Sequence, residues 1–215
     1  MYFKNIFIII SLLLSLNIYG ERNEILIDKL VAVVKDTIIS FSDIEKTVLL
    51  YPDLRRNKNS ESYFYKLILE DMINYRTIYL EYSNEFILNE SDYEKVQLQI
   101  IRKAGSIQNL NIILESFDMK WNDFRLFIKE KVFFEKIIKE KFQFKISILF
   151  NDVETFYNNE YVPMQKKLNL TPKSLIDMTA EIKNHLRKIE TGKKIENWIK
   201  DIKDTYDIRI VSDLQ

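Results

Sequence analysis

The chain has 215 residues, with 3 Gly, 3 Pro, no Cys, a single His and 32 charges of each sign, so its net charge is zero. Gly20, Gly105 and Gly192 each stand alone, which leaves no phosphate-cradling loop; no Cys means no disulfide, thiolate metal site or thiol nucleophile. One His argues against a multi-His metal site or a Ser-His-Asp machine, and balanced charge provides no global field for nucleic acid.

Residues 1–20 order themselves as a secretory leader. Lys4 precedes an apolar run over residues 6–16, and Gly20 closes a short polar end before Glu21. The run is shorter than the ~20 residues of a membrane span. The expectation is export to the periplasm, cleavage near Gly20 and no stable membrane insertion afterwards. Without a following Cys, no lipoprotein anchor is expected.

Residues 25–34 (ILIDKLVAVV) read as a strand, Lys35-Asp36-Thr37 as a break and Ile38-Ile39 as its return, a small hairpin. Ser42 with Glu45 three positions on predicts a capping box and a helix over 43–50. Tyr51-Pro52 stops it, and a polar loop follows to residue 60. From 61 to 84, Phe64, Leu67, Ile68, Met72, Tyr75, Tyr79 and Tyr82 recur at helical steps. Asn89 with Asp92 opens a helix to Ala104, Gly105 caps it, and Ser106 starts another to Ser116. Lys120 or Asn122 begins a long helix through Phe142. A brief extended segment covers 144–150. Asn151 to Glu154 caps a helix to Tyr161, which Pro163 breaks. Thr171-Pro172 begins a helix or helix pair to about Tyr206. Residues 207–211 (DIRIV) alternate like an edge strand. An isolated hairpin is marginal in water, so this strand is expected to pair with it and close the domain.

The predicted fold is mainly α: one helical domain of about six or seven helices, with a small sheet made by the N-terminal hairpin and the C-terminal strand. Its parts are the leader (1–20), a helical body (21–162) and a returning helix and strand (163–215).

Catalytic chemistry finds few carriers. Glu70-Asp71 are adjacent and point apart on a helix, Asp152 and Glu154 suit a helix N-terminus, and His185 has no second His to share a metal. No catalytic residue, metal site, cofactor or nucleotide is expected. The aromatic load is more informative, with 14 Phe, 12 Tyr and 2 Trp. On the long helix, Trp121, Phe124, Phe127, Ile128, Val132, Phe134, Ile138 and Phe142 form a broad apolar face. Leu126, Phe133 and Ile137 form a second stripe opposite. Such a helix is either sandwiched between layers or offers one stripe to a partner.

Three stretches resemble the SurA-like periplasmic chaperones: residues 27–44 (IDKLVAVVKDTIISFSDI), 121–130 (WNDFRLFIKE), and Ile146-Ser147-Ile148 leading into Asn151-Asp152-Val153-Glu154. Their order and spacing hold over roughly residues 27–162. In that family one or two parvulin-type prolyl isomerase domains usually follow; here about ten residues (162–171) separate the matched region from the tail. The resemblance implies a chaperone core without its isomerase domain, hence no enzyme. It implies an ATP-independent holdase that binds unfolded outer-membrane or secreted proteins in a groove, with Leu126, Phe133 and Ile137 as client-binding residues. The rival expectation is a non-catalytic structural or assembly subunit of the cell envelope with one dedicated protein partner.

Overall fold

A computed structural model describes residues 28–50, 61–143 and 146–211. The leader, the start of the first strand, the Tyr51-Pro52 stop, the polar loop at 53–60 and the first residues of the 144–150 segment lie outside them.

Strand β1 (Leu30–Val34) turns through Lys35-Asp36 into β2 (Thr37–Ser40). Lys35 takes φ 54, the positive angle that a two-residue hairpin loop requires. Strand β3 (Ile208–Ile210) lies on the other side of β1, antiparallel, giving the order β2-β1-β3. The hairpin and the C-terminal strand therefore do share one small sheet. Its inner face supplies Ala32, Val34 and Ile39, all fully buried.

Helix α1 (Phe41–Leu50) follows directly. Its capping box is not the expected Ser42/Glu45 pair. Ser40 Oγ accepts from the Asp43 N–H at 3.3 Å, and Asp43 Oδ2 accepts from the Ser40 N–H at 3.1 Å. Ser42 turns instead to Asp28, donating from Oγ at 2.5 Å, which ties the chain ahead of β1 to the helix start.

Helix α2 (Glu61–Tyr82) buries residues on two sides. Ile68, Leu69 and Ile73 join the sheet and α1, whereas Ile78 faces the opposite cluster. The predicted apolar stripe was only part of this, and Leu67 is 45% exposed. Helix α3 (Glu90–Ala104) begins with the Asn89/Asp92 capping box. Gly105 ends it at φ 91, a backbone angle that favours Gly. Ser106 caps α4 (Ile107–Ser116).

The expected long helix is present but interrupted. Helix α5 (Trp121–Phe127) and helix α6 (Lys129–Phe142) meet at Ile128, where ψ opens to −3°. Hydrogen bonds continue across the junction, Ile128 to Phe124 at 3.0 Å and Val132 to Ile128 at 2.9 Å. Phe124, Ile128 and Val132 are buried against Val96, Ile100, Leu110 and Leu114 from α3 and α4.

Helix α7 (Phe150–Phe156) is capped by Asp152 accepting from the Leu149 N–H at 3.0 Å, so it begins one residue before Asn151. Pro163 does not break the helical path. A π-helical segment (Tyr157–Tyr161) leads into α8 (Val162–Lys167). The Val162 N–H donates to the Tyr157 carbonyl, five residues back, and the wider turn accommodates a proline that has no N–H to give. Helix α9 (Leu175–Lys203) is one unbroken helix capped by Ser174, so Pro172 precedes the helix rather than opening it. No helix among the described residues is long and apolar enough to cross a membrane.

Candidate functional site: a two-sided helix and its open cleft

Helix α9 decides which stripe of α5–α6 is accessible. Its Ile199 and Ile202 pack on Phe133, Ile137 and Ile78. Phe133 is 1% exposed and Ile137 fully buried. The ring of Trp198 stacks on Tyr82 (5.7 Å) and meets Phe142 edge-on (5.3 Å), with Lys141 Nζ 4.2 Å from the Tyr82 ring centre. Beyond the helix, the Tyr206 hydroxyl donates to Glu81 Oε2 at 3.0 Å. Desolvation, then Glu81, pushes the Tyr206 hydroxyl up to about 12.

Two of the three predicted client-binding residues are therefore core. Helix propensity and periodicity define the Phe133/Ile137 stripe, but the returning tail covers it. Leu126 is separated from them: it lies on α5, before the Ile128 junction, and is 68% exposed.

Leu126 borders an open cleft of about 270 Å³ between β2, α1, α2 and the α5–α6 junction. Ile39, Ile68, Met72, Phe127 and Ile128 give it apolar walls. Residues 68, 71, 72, 75 and 76 face it together because they follow three- and four-residue steps on α2.

Charges of both signs stand among those walls. The Arg76 guanidinium contacts the Glu130 carboxylate, and its NH1 donates to the Ile38 carbonyl at 3.2 Å. Burial raises the Glu130 carboxyl above its ordinary value, with Arg76 opposing the rise. Asp71, across the cleft, is also raised by desolvation and held back by Lys131. Burial pushes the Tyr75 hydroxyl up, with Asp71 and Glu135 adding to it. Lys131 Nζ lies 3.5 Å from that hydroxyl and 3.2 Å from Glu135 Oε1.

The arrangement can bury an apolar group while offering donors and acceptors to a backbone. Among the described residues no three His, Asp or Glu side chains stand close enough to hold a metal ion. His185 is exposed, with its ring 5.2 Å from Phe156. Asp152 caps α7, Glu154 is exposed, and Glu70 is exposed beside Asp71. The Arg76–Glu130 pair was not predicted; it joins distant positions, and only the shared cleft face of α2 could have suggested it.

A second apolar surface lies at the turn from α8 into α9. Met164, Leu168, Leu170 and Ile176 are 51%, 59%, 54% and 86% exposed. Below them Tyr157 and Tyr161 hold Lys173: the Tyr157 hydroxyl donates to its carbonyl (2.7 Å), and its N–H donates to the Tyr161 hydroxyl (3.2 Å). No protein-family model matches the chain, and no curated protein matches it.

Proposed function

We propose that the chain is an ATP-independent holdase of the periplasm that binds extended, aromatic-rich segments of unfolded outer-membrane or secreted proteins. The observation that supports this reading best is the cleft beside Leu126. Its volume of about 270 Å³ lies under the ~300–1,000 Å³ of small-molecule sites, and suits one or two client side chains. Burying them contributes ~25 cal/mol per Å² of apolar area. Charged groups around the walls offer hydrogen bonds to whatever backbone enters. Few contacts per client keep each encounter weak, so release needs no nucleotide.

The test is light scattering from an unfolded β-barrel protein. Stoichiometric excess of the chain suppresses aggregation, and Leu126→Asp, at a 68% exposed position, weakens the suppression without unfolding the protein. Unchanged scattering with the unsubstituted chain overturns the reading. The exposed apolar turn at Met164, Leu168, Leu170 and Ile176 favours a second reading, an envelope assembly subunit with one dedicated folded partner. A pull-down separates them: many unrelated extended clients support the holdase, one stoichiometric folded partner the subunit.

A further inference from the structure

The outer edge of β3 is unpaired among the described residues, since the sheet order ends on it. Its hydrogen-bonding parity is set by the register. Val33 faces Arg209, the Lys35 N–H donates to the Asp207 carbonyl (2.8 Å), and the Val211 N–H donates to the Val31 carbonyl (2.8 Å). Positions 207, 209 and 211 therefore spend their backbone groups on β1. The N–H and C=O of Ile208 and Ile210 point the other way, to the open edge. Ile210 and Val211 are 65% and 55% exposed there.

We propose that this edge pairs antiparallel with β3 of a second copy of the chain, centred on Ile208 facing Ile208, to make one continuous six-stranded sheet. Self-pairing that engages the open groups of 208 and 210 has three compact registers. Centring on Arg209 sets two guanidinium groups directly opposite, and like charges directly opposite are destabilising. Centring on Ile210 sets Arg209 opposite Val211, with no carboxylate facing it. Centring on Ile208 sets Asp207 of each copy opposite Arg209 of the other, twice by symmetry. The two side chains already share a face, with Arg209 Nε 3.4 Å from Asp207 Oδ2 and both 66% exposed. The D-I-R sequence thus carries the complement of its own reverse, which favours a second copy over an unrelated strand.

So short an edge belongs with small, reversible interfaces, and association is sought over about 10–500 μM chain. Sedimentation equilibrium should show a monomer–dimer equilibrium. Asp207→Arg alone and Arg209→Asp alone should each weaken it at least tenfold, and the double exchange should bring it back to within about threefold. Thermal melts of the dilute proteins check that every variant folds. Hydrogen exchange locates the contact: the Ile208 amide gains protection with concentration, while the Arg209 amide is protected throughout. A monomer across the range, or a dimer whose Ile208 exchange ignores concentration, or a double exchange that fails to restore association, overturns the proposal.

Discussion

The two halves of α9 do different work with the same backbone. The C-terminal half, through Ile199 and Ile202, completes the main body by covering Ile78, Phe133 and Ile137. The N-terminal half, through Met178 and Ile182, builds a smaller lobe with Ile146, Ile148, Val153 and Tyr161. In the body, aromatic rings interlock around Trp198. In the lobe, aliphatic contacts, one stacked tyrosine pair (Tyr157 and Tyr161, 5.5 Å) and their two hydroxyls hold a turn whose outer side is apolar and exposed. Returning helix and core are thus inseparable at one end, whereas the other end carries a unit whose stability is mostly its own.

The strongest way to break this contrast is Phe133→Ala. Removing a fully buried ring should cost about 3–5 kcal/mol, and chemical denaturation should show the whole body losing stability. Next is Ile182→Ala in the lobe, with an expected loss of about 2–3 kcal/mol. Native-state hydrogen exchange should confine that loss to 146–186, leaving α2 and α6 protected; if α2 opens equally, the lobe is not separate.

Glu130→Gln adds a pH signature specific to the body. Burial raises this carboxyl above 4.5 in the folded chain, so the folded state holds its proton more tightly than the unfolded state. Its contribution is therefore most favourable at low pH and declines as pH rises through the ordinary carboxylate range toward the raised value. The variant should lose that decline, seen as a flatter stability curve from the ordinary carboxylate range upward. The smallest expected effect is at Gly192, on the helix between the two halves. A Cβ there would meet nothing within 4 Å. Gly192→Ala should raise stability by about 0.5–1 kcal/mol, with a melting temperature that rises accordingly.

Local chemistry was the legible part of this chain. Asn89 with Asp92, Gly105 and Ser106 each act within a few residues, and all of them cap the helices their sequence announces. DIRIV was legible as an edge strand because alternation and the need of a hairpin for a partner agree. Ser42 misled because a second serine two residues earlier also has an acid three positions on. The stripe of Phe133 and Ile137 was visible as apolar, but which layer covers it depends on a tail some sixty residues away. The cleft pair Arg76–Glu130 has no local sign at all, since neither side chain is unusual until the helices meet.

The turn through residues 157–161 has a consequence for everything downstream of it. A π-helical turn holds one residue more than an α-helical one, so it acts as an insertion that rotates the rest of the helix by about 100°. An uninterrupted α-helix would carry the inward face from Val153 and Tyr157 on to positions 164 and 168. Instead Gln165 is half-buried, while Met164 and Leu168 turn outward. The exposure of Met164 is thus a slip of helical register, whereas Leu168 lies past the end of α8, and excising one residue, such as exposed Asn158, would swing the Met164 side chain back toward the lobe.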